Sequence, residues 1–138
     1  MSSAGCVFCA IAAGEIPSAI VLADDTATAF LDARPVFKGH VLVAPREHVP
    51  TLADLPAAAV GPFFITVQRV ARAVEAGLAA DGSFVAVNNK VSQSVPHLHV
   101  HVVPRRKKDG LRGFFWPRTT YADDAERDDF AARIRAAL

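Results

Sequence analysis

Little in this chain ties it to nucleic acid, to a membrane or to an oxidising compartment. Its 138 residues carry 15 Lys and Arg against 14 Asp and Glu, a net charge of +1. So small a charge gives no electrostatic basis for general binding to nucleic acid or to a membrane surface. No stretch approaches the roughly 18–20 consecutive apolar residues that a membrane span needs. The start, Met1-Ser2-Ser3-Ala4-Gly5, lacks the basic opening of a secretory signal. Cysteine is scarce, with Cys6 and Cys9 alone. The expected location is therefore the cytoplasm, where reducing conditions favour free thiols or thiolates over a disulfide. Repeats, low-complexity linkers and glycine-rich strand-to-helix phosphate loops are also missing, and the expected organisation is a single domain over 1–138. Any phosphate site has to be assembled from histidines and strand-end backbone groups. What remains, 51% hydrophobic and 21% charged residues, suits a folded globular chain.

The most informative segment is Ser94-Val95-Pro96-His97-Leu98-His99-Val100-His101-Val102-Val103-Pro104. Apolar residues alternate with three histidines, so it reads as a strand over 96–103 with the imidazoles in a row on one face. Neighbours at i and i+2 lie roughly 6.5–7 Å apart, which puts His97 about 13 Å from His101. Two adjacent rings could share an ion, but three could not, given metal–nitrogen bonds of about 2.0–2.1 Å. The three histidines must divide the work.

Cys6 and Cys9 form a C-x-x-C pair at the start of the chain, with no room for the strand that precedes a thioredoxin-like redox motif. Two cysteines are half of a tetrahedral zinc site, and histidine must supply the rest. His40, His48, His97, His99 and His101 are available.

Around these landmarks, residues 6–13 read as a short helix closed by Gly14 and Pro17. Residues 19–23 and 26–32 form a hairpin turned at Asp24-Asp25, and 39–44 a third strand stopped by Pro45. A long helix is expected from near Pro56 to about Ala80, capped by Asp54 and kinked at Gly61-Pro62. It would bury Phe64, Val67, Val70, Ala71 and Val74. Residues 84–88 give a fourth strand. Asp123, Asp124 and Glu126 open a last amphipathic helix, with Phe130, Ile134 and Leu138 on one face. Strands in hairpin-like succession with inserted helices point to an α+β fold built on an antiparallel sheet.

The run His97-Leu98-His99-Val100-His101-Val102-Val103 resembles the H-φ-H-φ-H-φ-φ signature of the histidine triad (HIT) superfamily. Further blocks in the same order resemble bacterial members: Cys6–Ile11 with Gly14-Glu15-Ile16-Pro17, then Ala29–Pro35, Lys38–Pro45 with His48, and Gln93-Ser94-Val95. The resemblance implies a five-stranded antiparallel sheet with two main helices, dimerising into a ten-stranded sheet. It also implies nucleotidyl transfer at the α-phosphorus, with His99 as nucleophile and its second ring nitrogen bonded to the His97 carbonyl. His101 and Ser94 would serve the phosphoryl oxygens and the leaving group. Zinc, as a structural ion, would be held by Cys6, Cys9, His48 and His97, with His48 preferred over His40. For a purine nucleotide, Asp32 would take the ribose hydroxyls, and Phe8, Ile11, Phe30 and Leu31 would form the base slot. Asn88 and Gln93 would flank the phosphate.

One departure stands out. The segment Asn88-Asn89-Lys90-Val91-Ser92-Gln93 is shorter than in many relatives, and Ser92 replaces a glycine. Since that loop borders the leaving group, substrate choice is the least transferable property. Arg105–Lys108, a basic run that most often marks a solvated loop, is followed by Phe114-Phe115-Trp116-Pro117, and the alternative is a segment that covers the site or contacts a second subunit. The implied function is hydrolysis of purine nucleoside phosphoramidates or dinucleoside polyphosphates, with a nucleotide-binding regulatory or scaffold protein as the alternative. Removal of adenylate from DNA ends would require an added DNA-binding module and a basic surface, and the charge does not support it.

Overall fold

The structure is a computed structural model and describes residues 4–111 and 118–138. The expected covering segment Phe114–Pro117 lies outside the described residues. The chain runs through α1 (Val7–Ala12), β1 (Ile20–Ala23), β2 (Ala27–Leu31), β3 (Val41–Pro45) and a 3₁₀ turn (Leu52–Asp54). It continues through α2 (Ala57–Gly77), β4 (Gly82–Val87), β5 (Val100–Arg105) and α3 (Asp124–Ala136). Among the described residues the five strands form one sheet in the order β1-β2-β3-β5-β4, and every neighbouring pair is antiparallel.

Local chemistry sets the corners. The β1–β2 turn closes on Asp24, whose Oδ1 accepts the Thr26 and Ala27 amides at 2.8 and 2.9 Å. After β2 the chain returns through Gly39, which holds φ +98° and sits so close to α2 that a Cβ there would run into Leu78. The positive φ is what favours glycine here, since the tip of the Leu78 side chain could move aside. At the far end of α2, Arg106 donates to the carbonyls of Leu78 and Ala79, each at 2.6 Å, satisfying helix-end acceptors that have no intrahelical partner.

The strand period of two then sorts the side chains. Ala27, Ala29, Val41, Val43, Val100 and Val102 face α2, where Phe63, Val67, Val70 and Val74 complete the main core. The opposite face carries Phe30, Leu42 and Ala44, covered by Phe8 of α1. Strand β3 is buried along its whole length because both faces are covered.

Several expectations need correction. β5 begins at Val100, not near Pro96. The His97 amide turns back on the Val95 carbonyl at 2.8 Å, and the Leu98 amide reaches the Val49 carbonyl at 2.7 Å, so the chain bends before it joins the sheet. Asp54 does not cap α2. Its carboxylate accepts the Thr51 amide and hydroxyl at 3.0 and 2.7 Å in the 3₁₀ turn, and Pro56 opens α2 without a side-chain cap. In α2, Phe63 is the buried member of the Phe63-Phe64 pair, and Phe64 packs half-buried at the core edge. The helix includes Pro62 and ends at Gly77, short of the expected Ala80. α3 is capped by Asp123 as its acidic start suggests, but it buries no residue, and Phe130, Ile134 and Leu138 are exposed.

Candidate active site

On the face away from α2, strand register aligns Phe30 of β2, Leu42 of β3, His101 of β5 and Ala86 of β4 in one transverse row. Leu98 is fully buried in the α2 core. The flanking His97 and His99 therefore turn to the other face, where the Phe8 ring meets them edge-on at 5.9 and 4.9 Å. His101 follows two residues on, its ring 5.0 Å from that of His99. The row survives although its first two members precede the strand.

His97 belongs to a four-donor cage. Its Nδ1 lies 3.4 Å from Cys6 Sγ, 3.5 Å from Cys9 Sγ and 3.2 Å from His48 Nδ1, and His48 Nδ1 lies 3.4 Å from Cys9 Sγ. A tetrahedral ion bonded at about 2.3 Å to sulfur and 2.05 Å to nitrogen would separate S and N by about 3.6 Å, and two N by about 3.3 Å. The cage matches that spacing to within a few tenths of an ångström. His97 Nε2–H donates to the Pro45 carbonyl at 2.8 Å, which leaves the Nδ1 lone pair for an ion. The helix start contributes as well: Cys6 is the N-cap of α1 and its Sγ accepts the Cys9 amide at 3.5 Å. The residues present fit a four-coordinate metal ion.

His99 is held differently. Its Nδ1–H donates to the His97 carbonyl at 2.7 Å, so Nε2 keeps its lone pair. The ring is buried and positioned by Phe8.

His101 is paired with His40. Nδ1 of His40 accepts the Val36 amide at 3.1 Å, so its hydrogen is on Nε2 and is donated to Nδ1 of His101 at 3.0 Å. His101 must then carry its own hydrogen on Nε2. Burial pushes the His101 ring down to about 4, helped by the neighbouring His99 and His40 rings, and burial lowers His40 too. With His40 neutral, the 3.7 Å approach of Asp32 is no ion pair. Asp32, His40 and His101 lie close enough together to suggest a second metal site. The tautomers argue against it, since coordination through His40 Nε2 would move its hydrogen onto Nδ1, against the Val36 N–H.

Asp32 is fixed by its own turn, with Oδ1 accepting the Arg34 amide at 2.8 Å. Together with Arg34, His40, Asn88 and His101 it lines a cleft of about 560 Å³ whose other walls include Phe84, Ala86, Val103 and Leu111. Phe8, Ile11 and Phe30 do not line this cleft; Phe8 and Phe30 pack edge to face at 5.2 Å, with Ile11 against them and the His99 ring 4.9 Å from Phe8. Leu31 does not join this slot. It follows Phe30 in the strand, so its side chain falls on the α2 face, in a groove with Val21, Val41, Val74 and Leu78. Ser94 is exposed and borders a smaller cavity beside the cage, with Cys6, His48 and Val95. Both ends of the Gln93 amide are engaged: Nε2–H donates to the Pro50 carbonyl at 2.6 Å, and Oε1 accepts the Lys90 amide at 2.8 Å. Gln93 thus braces the 88–93 loop.

Sequence reasoning set His40 aside and missed Arg34. For His40 the signal was present, because it opens the strand that pairs with β5. A lone arginine in a loop carries no pattern.

A family model described as HIT domain matches residues 13–108. An uncharacterized HIT-like protein of Mycobacterium tuberculosis is 43% identical over 108 residues, covering 77% of this chain and 75% of that protein. A solved HIT-family structure from Bacillus subtilis superposes with a TM-score of 0.85 at 36% identity, over 97% of each chain. A zinc-bound histidine triad protein from Mycobacterium smegmatis does so with a TM-score of 0.74 at 37% identity, over 99% of this chain and 100% of that one. Relatives at 34–39% identity include an adenylylsulfatase of Arabidopsis thaliana, an asymmetrical bis(5'-nucleosyl)-tetraphosphatase of Schizosaccharomyces pombe and an adenosine 5'-monophosphoramidase of Saccharomyces cerevisiae. The family match takes in the whole sheet, α2 and all five histidines, and on that ground the chain belongs to the HIT domain family.

Proposed function

We propose that this protein is a nucleotidyl hydrolase that acts at the α-phosphorus of a purine nucleotide through a covalent nucleotidyl intermediate on His99. The observation that carries the reading is the 2.7 Å bond from His99 Nδ1–H to the His97 carbonyl, which leaves Nε2 unprotonated and oriented. In the first step the Nε2 lone pair forms a bond to phosphorus, and the bond to the leaving group breaks with its electron pair. The imidazolium so formed is stabilised by the carbonyl on Nδ1–H. Water then attacks phosphorus and releases a proton to solvent, the P–N pair returns to Nε2, and the nucleoside monophosphate departs. Dividing one difficult displacement into two easier ones is the gain.

The surrounding groups take supporting roles in this reading. His101 Nε2–H donates to the phosphoryl oxygens as negative charge grows on them. Asn88 lies at the cleft and is assigned to phosphate, Ser94 to the leaving-group side, and Gln93 to the shape of the loop between them. Asp32 keeps one carboxylate oxygen for the ribose hydroxyls. Phe8, Ile11 and Phe30 receive the base. The ion of the cage is zinc, held by Cys6, Cys9, His48 and His97. It ties α1, the turn after β3 and the start of the histidine row together, and with four protein donors it leaves no open position for substrate.

The three relatives named for nucleotide hydrolysis support the reaction class. A second copy would pair edge to edge with this sheet, whose edge strands among the described residues are β1 and β4, to give a ten-stranded sheet. Cytoplasmic residence fits two unpaired cysteines, and no helix among the described residues is long and apolar enough to cross a membrane.

Intact-protein mass spectrometry during turnover of an adenosine phosphoramidate tests the mechanism. The wild type should acquire an adenylyl adduct, and His99→Ala should form none and lose about three orders of magnitude or more in kcat/KM. Undiminished hydrolysis by His99→Ala would overturn the proposal.

A further inference from the structure

The transverse row gives the bound nucleotide a direction. Phe30 marks the base end, His101 the centre and Ala86 the far end. A base against Phe8 and Phe30, with its α-phosphorus at His99 and His101, therefore sends the leaving group over β4. That half of the cleft has an apolar floor of Phe84, Ala86 and Val103. Among the described residues lining the cleft, Arg34 is the one whose side chain carries a fixed positive charge, because His40 and His101 are held neutral.

The backbone of Arg34 is held in place. Its amide is bonded to Asp32 Oδ1, and Pro35 follows it. Two residues on, the Val36 amide is bonded to His40. Its backbone is thus pinned between the residue proposed for the ribose and the residue that sets the His101 tautomer. The side chain is exposed and lines the cleft together with Phe84, Ala86 and Val103.

A second constraint comes from protons. His101 has a hydrogen on Nε2 to share but none to give away, since releasing it would require His40 to surrender its Nε2 hydrogen while Nδ1 still faces the Val36 N–H. The site can donate a hydrogen bond to a departing group, yet it supplies that group no proton.

We propose that Arg34 selects substrates whose leaving group is an anionic oxygen chain, sulfate or polyphosphate, over substrates that release an amine. The inference rests on His99 as nucleophile and narrows the substrate class of that reaction. Attack by Nε2 forms the P–N bond and breaks the bridging P–O bond. The electron pair goes to the bridging oxygen, which leaves as an anion without needing a proton, and the guanidinium neutralises it. An amine must collect a proton as it departs, and it gains nothing from Arg34.

The test measures kcat/KM of the full-length protein on adenosine 5'-phosphosulfate, diadenosine tetraphosphate and adenosine 5'-phosphoramidate. The informative quantity is each anionic substrate's value divided by that for the phosphoramidate. Arg34→Ala should lower these ratios about tenfold or more, Arg34→Lys should recover part of the loss, and added salt should erode the ratios in the wild type more than in Arg34→Ala. A fall in the phosphosulfate ratio alone would identify sulfate as the departing group, and a fall in the tetraphosphate ratio alone would identify a phosphate chain. Ratios that do not move in Arg34→Ala would overturn the assignment. His99→Ala separates the two levels: if it abolishes turnover while Arg34→Ala leaves the ratios alone, only the specificity inference fails. Hydrolysis that survives in His99→Ala removes the mechanism itself.

Discussion

His40 donates its Nε2–H to Nδ1 of His101 across 3.0 Å, and the Val36 amide on the other His40 nitrogen makes that direction compulsory. A backbone N–H, whose identity as a donor is never in question, thereby decides the tautomers of two successive rings. The chain of bonds ends with a hydrogen aimed at the cleft. It sets His101 apart from His99, whose Nε2 lone pair is left free, and from His97, whose Nδ1 lone pair faces the cage. Three histidines on one face thus have their hydrogens placed by three different backbone groups, on Nε2 in His97 and His101 and on Nδ1 in His99.

That arrangement has a pH signature. His101 stays neutral down to about 4, whereas in the unfolded chain it titrates near about 6.5. Between these values the unfolded state binds a proton that the folded state does not, so stability falls as pH drops through that window and levels off below it. His40, lowered by burial, contributes in the same direction. His101→Asn removes the first contribution. Urea denaturation between pH 7 and pH 4 should therefore show the wild type losing more stability than His101→Asn, by on the order of 2–3 kcal/mol. Acid loss of the cage affects both proteins and cancels in the comparison. Parallel curves would show that His101 titrates normally.

The cage makes a sharper distinction between two histidines. His48 Nδ1 lies 3.2 Å from His97 Nδ1, while His40 is engaged with Val36 and His101. His48→Ala and Cys9→Ala should therefore reduce bound zinc well below about one ion per chain and lower the thermal midpoint, whereas His40→Ala should retain the ion. In the metal-free protein, burial and the adjacent Cys6 hold the Cys9 thiol at about 11. Loading must then displace that proton, and zinc uptake followed in weak buffer should release acid. Full metal content in His48→Ala would refute the assignment.

Much of this site is legible in the sequence because one rule, the strand period of two, governs it. Alternation in 97–103 puts Leu98, Val100 and Val102 in the α2 core and the histidines opposite, and the structure does the same. That rule also excludes Leu31 from the Phe30 slot, since adjacent strand residues point to opposite faces. Where the sequence misleads, tertiary contacts decide. Leu98 bonds to Val49 rather than to a neighbouring strand, which delays β5 until Val100. Phe63 and Phe64 are equally apolar, and only the orientation of α2 against the sheet selects which is buried. Cys-x-x-C and five histidines allow more than one cage, because pairing partners 39 and 88 residues apart is a property of the fold.

Ser92 supplies the last test. The serine holds φ +58°, in the left-handed region that costs a side-chain-bearing residue about 1 kcal/mol or more. The loop tolerates it because neighbours over-determine its path. Gln93 reaches the Pro50 carbonyl at 2.6 Å, and Asn89 Oδ1 accepts the Leu52 amide at 2.9 Å. Ser92→Gly relieves the strain but adds freedom to the unfolded chain, so the expected net gain is about 0.5–1 kcal/mol in urea denaturation. Gln93→Ala removes a brace and leaves the strain, so it should destabilise, and Ser92→Gly should recover part of the loss when the two are combined. If Ser92→Gly lowers stability instead, the serine hydroxyl makes a contact worth more than the backbone strain, and the loop is held by side chain rather than by its clamps.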